Sequence, residues 1–133
     1  MGKITFILGG ARSGKSRYAI KLAGETNAGQ VAFIATCLAK DEEMKRRIAL
    51  HKKSRPSCWQ TFEEPEDVAA LIRKIGNKFD VIIIDCLTLL VSNLLLKNLK
   101  HDAIEDAVTL MLSSIKKAKA NAIVVSNEVG LGI

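Results

Sequence analysis

A chain of 133 residues with 48% hydrophobic content, nine glycines and two prolines is sized for one domain with a substantial core, and its composition excludes a disordered or low-complexity protein. The net charge of +6 raises nucleic acid as a partner, but aromatic residues make up only 5% of the chain and leave few platforms on which single-stranded bases could stack. Cys37, Cys58 and Cys86 are odd in number, widely spaced and free of C-x-x-C pairing, so they read as reduced thiols rather than a zinc site or a disulfide framework.

The first element is a strand from Lys3 to Leu8 (KITFIL) that runs directly into GGARSGKS, Gly9 to Ser16. That G-x-x-x-x-G-K-S pattern between a strand and a helix is a phosphate-binding loop. Glycine keeps Cβ atoms away so that backbone N–H groups can surround a triphosphate, Lys15 reaches the outer phosphates, and Ser16 is placed to ligate Mg2+. Gly9, Gly10, Ala11, Arg12, Ser13, Gly14, Lys15 and Ser16 are therefore nucleotide-site candidates. Ser16 to Leu22 carries the helical spacing that the motif requires after it.

Gln30 to Ala35 (QVAFIA) predicts a second buried strand, and Asp41 to about Lys53 a charged helix closed by Pro56. Within that helix Asp41, Glu42 and Glu43 precede Lys45, Arg46 and Arg47 at i,i+4 spacing, so much of the basic cluster is ordinary helix chemistry. Gln60 to Glu63 is a short strand candidate. Glu64 to Ile75 predicts a helix with Val68, Leu71, Ile72 and Ile75 on one face, stopped by Gly76. Asp80 to Asp85 (DVIIID) is a β-branched strand ending in an acid, Ala103 to Lys119 an amphipathic helix, and Ala122 to Ser126 (AIVVS) a last strand.

Alternating strands and helices, with apolar strand runs that do not alternate in polarity, predict an α/β fold whose parallel sheet is covered on both faces. In such sheets the ligand sits beyond the carboxyl ends of the strands. The loop at Gly9, the Ala35-Thr36-Cys37 segment, the Glu63 region, Asp85 and Asn127-Glu128 are thus expected to converge on one crevice. Asp85 after VIII matches the acid that gives phosphate-loop nucleotidases a second magnesium contact; the plainer role is a capping Asp in a turn. His51 shares a helical stripe with Met44 and Ile48 that faces inward, although a histidine near a basic helix end is most often just solvated. His101 belongs on the surface. Asp85 also interrupts the apolar run from Val81 to Leu96, so no stretch reaches the ~18 uncharged residues of a membrane helix. The amino terminus lacks a signal-peptide pattern, and a cytoplasmic protein is expected.

Beyond the phosphate loop, IAT at Ile34 to Thr36, D-x-E-M at Asp41 to Met44 and RI-x-x-H-x-x-x-RP at Arg47 to Pro56 follow in order. W-x-T-x-E at Trp59 to Glu63, DCLTLL-x-SNLL at Asp85 to Leu95 and SNEVGLGI at Ser126 to Ile133 complete the series. In these blocks the chain resembles the bifunctional adenosylcobinamide kinase/adenosylcobinamide-phosphate guanylyltransferases of cobalamin assembly. The resemblance implies a RecA-like phosphate-loop NTPase fold, a homotrimer, and two reactions. Adenosylcobinamide is phosphorylated with ATP or GTP, and GMP is then transferred from GTP to that phosphate. His51 matches the family histidine that carries GMP as a phosphoramidate. Ala35, Thr36, Cys37, Lys52, Lys53, Ser54, Arg55, Glu63 and Asp85 match positions lining the guanine nucleotide site. Family members continue past N-E-V-G-x-G with a further helix and strand, so residues 1–133 are expected to be a single domain lacking its C-terminal quarter.

Overall fold

The fold is taken from a computed structural model, which describes residues 3–9, 14–25, 29–37, 46 and 59–127. Strands β1 (Ile4–Gly9), β2 (Val31–Ala35), β3 (Gln60–Glu63), β4 (Val81–Asp85) and β5 (Asn121–Asn127) form one sheet in the order β1-β5-β4-β2-β3. Every pairing is parallel. The described helices are α1 (Lys15–Glu25), α2 (Val68–Ile75), α3 (Leu87–Leu96) and α4 (His101–Lys117). Of the expected helix from Asp41 to about Lys53, only Arg46 falls among the described residues, and it is helical.

Successive residues of a strand point to opposite faces, and here both faces are apolar. Phe33, Ile83 and Ile123 pack with Ala19 and Ala23 of α1 on one side. Ile34, Ile82, Ile84 and Val124 pack with Ile72 of α2, Leu90 and Leu94 of α3, and Met111 and Ile115 of α4 on the other. Each large aliphatic side chain taken out of water contributes about 1.5–3 kcal/mol, which makes the two-sided burial the main source of stability.

Such a sheet has a register problem, because a one-residue slip exchanges one apolar face for another. Polar ties at the amino ends of the strands resolve it. Asp80 Oδ2 accepts from the N–H groups of Gly29 (3.1 Å) and Gln30 (3.0 Å), holding the entry to β2 against the entry to β4. Asn121 Oδ1 accepts from the Lys3 N–H at 2.8 Å and does the same for β1 and β5.

Two helices differ from the sequence expectation. α2 starts at Val68 rather than Glu64, because Glu64 holds the backbone ahead of it in a turn and Asp67 serves as the helix N-cap. Glu64 Oε2 accepts from the N–H groups of Glu66 and Asp67 (both 3.1 Å), and Asp67 Oδ1 caps the helix by accepting from Ala70 N–H at 3.1 Å. The leucine-rich α3 is an element the sequence reading does not assign after the strand ending at Asp85, since leucines spread around the helix leave little period to read. Between β4 and β5 the chain therefore passes through two helices rather than one. Asn98 (φ 61°) makes the left-handed turn between them, and its N–H donates to the Leu95 carbonyl at 3.0 Å.

Candidate functional site

The strand register brings the carboxyl ends together. Asp85 stands beside Ala35 on one side and Val125 on the other, and Ala35 stands beside Glu63. Two residues further along, Gly9 stands beside Asn127. Gly9, Ala35, Glu63, Asp85 and Asn127 thus lie at one end of the sheet, while Glu128 lies outside the described residues.

Gly9 closes β1 and Lys15 opens α1, as the phosphate-loop pattern requires. Gly14 has φ 82°, a conformation that L side chains rarely adopt, and a Cβ there would meet no atom within 4 Å. Glycine is needed at this position for its backbone freedom, not for space. Its carbonyl accepts from the Tyr18 N–H at 3.0 Å and starts the helix. Lys15 is 8% exposed. Ser16 is the second residue of α1. Gly10, Ala11, Arg12 and Ser13 lie outside the described residues, as do His51, Lys52, Lys53, Ser54 and Arg55.

Asp85 ends β4 half-buried, Glu63 ends β3 exposed, and Ala35 ends β2 buried. Thr36 is fully buried, and its hydroxyl bridges both backbone groups of Cys86. Oγ1 donates to the Cys86 carbonyl at 2.7 Å and accepts from the Cys86 N–H at 2.9 Å. The Thr36 N–H in turn donates to the Asp85 carbonyl at 3.0 Å. Thr36 therefore braces the peptide that follows Asp85, while Cys37 beside it is half-buried. His101 is exposed and pairs with Glu105 on the same helix face.

Cys86 was read only as a reduced thiol, and the structure gives it a second task. Its Sγ accepts from the Leu89 N–H at 3.4 Å and caps α3. Burial pushes the thiol pKa up; the Leu89 N–H opposes this, the Asp85 charge adds to it, and the Lys15 charge works against it. Lys15 at the start of α1 and Asp85 at the end of β4 thus both act electrostatically on Cys86.

Asp85 suits a hard cation. Among the described residues no group of three or more His, Cys, Asp or Glu side chains converges as a cage. Magnesium at nucleotide sites needs only one or two protein oxygens, with phosphates and water completing the shell. A cavity of about 70 Å³ lined by Glu66, Val68, Leu90 and Met111 is far too small for a nucleotide.

A strand, a loop closed by glycine and lysine, a helix, and an acid at the tip of another parallel strand together define a phosphate-loop nucleotide-binding α/β protein. The model of the cobinamide kinase / cobinamide phosphate guanyltransferase family matches residues 5–133, and the chain belongs to that family. It is 44% identical over 127 residues to the bifunctional adenosylcobalamin biosynthesis protein CobP of Pseudomonas aeruginosa, covering 96% of this chain and 72% of that one. It is 36% identical over 139 residues to the bifunctional adenosylcobalamin biosynthesis protein CobU of Escherichia coli, covering 96% and 76%, and 37% identical to the CobU of Salmonella typhimurium at the same coverage.

Proposed function

We propose that the chain carries both reactions its family is described by, with adenosylcobinamide as the acceptor. In the first, the acceptor hydroxyl attacks the γ-phosphorus of ATP or GTP, the bond to the β-phosphate breaks, and nucleoside diphosphate leaves. In the second, a neutral nitrogen of the His51 imidazole attacks the α-phosphorus of GTP, forming a P–N bond and releasing pyrophosphate. An oxygen of the acceptor phosphate then displaces the imidazole, giving a GDP-linked cobinamide and free His51. Gly9 to Ser16 hold the triphosphate, Lys15 offsets charge on the transferring phosphoryl group, and Lys52, Lys53, Ser54, Arg55, Glu63 and Ala35 to Cys37 line the guanine nucleotide site. Ser16 and Asp85 would hold Mg2+, which neutralises phosphate charge when bound.

The observation that carries this reading is the convergence of Gly9, Lys15, Ala35, Glu63 and Asp85 at one end of an all-parallel sheet. One domain, a cytoplasmic setting and a homotrimer belong to the same reading, with no nucleic acid as partner. No helix among the described residues is long and apolar enough to cross a membrane. The exposed Leu89, Leu95 and Leu96 of α3 offer apolar surface that another copy would cover.

The test is to incubate the chain with Mg-GTP labelled at the α-phosphate, then denature it. Label should stay on the wild-type protein through an acid-labile, alkali-stable bond and be absent from His51→Ala. Label retained by His51→Ala moves the nucleophile elsewhere, and a folded wild-type chain that takes up no label refutes the guanylyltransferase assignment.

A further inference from the structure

Asn93 is the buried polar side chain of a helix otherwise rich in leucine, and it is 8% exposed. Its amide nitrogen donates to two backbone carbonyls, of Thr36 at 2.8 Å and of Pro65 at 2.9 Å. Both partners can only accept, so the orientation of the amide is fixed and both of its N–H groups are used. Thr36 directly follows β2, and Pro65 lies just beyond the last residue of β3. One side chain in α3 thus binds the emerging ends of two neighbouring strands. The last backbone bond between those ends runs from the Glu64 N–H to the Ala35 carbonyl at 3.0 Å, and Asn93 continues the tie past it. Beside it, Lys97 at the end of α3 pairs with Glu66.

We propose that Asn93 is a positioning residue for the nucleotide site, setting the separation of the β2 and β3 ends so that Ala35 to Cys37 and Glu63 meet the nucleoside half of GTP. The inference rests on the reading of the strand ends as that site. The strand order places β5 and β4 between β1 and β2, so the phosphate loop is three strand spacings away from the nearer end that Asn93 holds. At about 4.8 Å per spacing this is roughly 14 Å, which leaves the loop free to bind phosphates whatever Asn93 does.

That separation supplies the test, in which Mg-GTP and inorganic triphosphate are each titrated into the wild-type chain, Asn93→Asp and Asn93→Ser. The isosteric Asp cannot offer two donors, and Ser leaves room for water to take up the carbonyls should Asp lose the fold. Loss of two buried hydrogen bonds should weaken GTP binding by a factor of about 10 or more, with triphosphate affinity within about twofold of wild type. GTP affinity unchanged in the folded variants overturns the proposal. So does an equal loss for GTP and triphosphate, or loss of folding in both variants, since Asn93 would then serve the fold alone. A folded wild-type chain that binds neither probe refutes the nucleotide site itself, a result distinct from the other three.

Discussion

Replacing Thr36 by valine removes one oxygen and keeps the shape of the side chain, so its effect can be worked out bond by bond. The Cys86 N–H donates to the Thr36 hydroxyl at 2.9 Å, and Thr36→Val removes that buried bond. Taking the acceptor away from a buried donor costs about 1–3 kcal/mol. The Cys86 carbonyl loses its 2.7 Å bond from Thr36 but keeps the Leu90 N–H at 3.3 Å, a loss of about 0.5–1.5 kcal/mol. The new methyl group gains about 0.8 kcal/mol from burial. The balance is a destabilisation of about 2 kcal/mol, a large share of the 5–15 kcal/mol typical of whole domains. For a chain of this size it should lower the melting temperature by about 8 °C. Thr36→Ser is the control. It keeps both hydrogen bonds and loses a methyl group, for about 1 kcal/mol. Urea denaturation of the three proteins, read by circular dichroism, should rank wild type above Ser above Val. A Val variant as stable as the Ser variant would refute the claim that the hydroxyl holds the Cys86 peptide.

Gly76 ends α2 where a Cβ would lie 2.7 Å from the Cβ of Ala118, so Gly76→Ala should cost about 1–3 kcal/mol by overpacking; an unchanged urea midpoint would contradict this close approach. Burial raises the Cys86 thiol above its ordinary pKa, so the folded state favours the neutral form. That contribution to stability is complete below about pH 8.5 and is lost as pH rises through the higher folded value. Accordingly, at pH 8.5 iodoacetamide should modify Cys86 at least about tenfold more slowly in the folded chain than in urea, as mapped by peptide mass, and equal rates would count against a buried, protonated thiol.

The strands and the phosphate loop were legible because their signals are local. An apolar run bounded by Asp80 and Asp85 can only be a short buried element, and Gly9 to Ser16 carries its chemistry in consecutive residues. What stayed hidden depends on partners far along the chain. Asn93 finds its acceptors 57 and 28 residues away, and Thr36 finds Cys86 50 residues away. Nothing in the neighbourhood of either residue announces those carbonyls. A lone amide in LTLLVSNLLL was the available signal, since a buried Asn must be satisfied somewhere. The late start of α2 was hidden for a different reason: Glu64 looks like a favourable first-turn acid, and only the folded turn makes it the acceptor for the Glu66 and Asp67 N–H groups ahead of the helix that Asp67 caps.

The same distant contacts decide where the chemistry can happen. Apolar packing holds β2, β4 and β5 together but is nearly indifferent to their register, because both faces of each strand are apolar. A slip of β4 by one residue against β2 would bring Ile84 or Cys86 to the place beside Ala35 that Asp85 holds, and would turn the carboxylate to the opposite face. At the amino ends, Asp80 and Asn121 fix the pairing through side-chain bonds to Gly29, Gln30 and Lys3. At the carboxyl ends, Thr36 locks β2 to the peptide after Asp85, and Asn93 locks β2 to the segment after Glu63. Hydrophobic burial therefore makes the sheet stable, whereas a few polar side chains at its two ends determine which residue of β4 faces Ala35, and so where an acid stands relative to the phosphate loop.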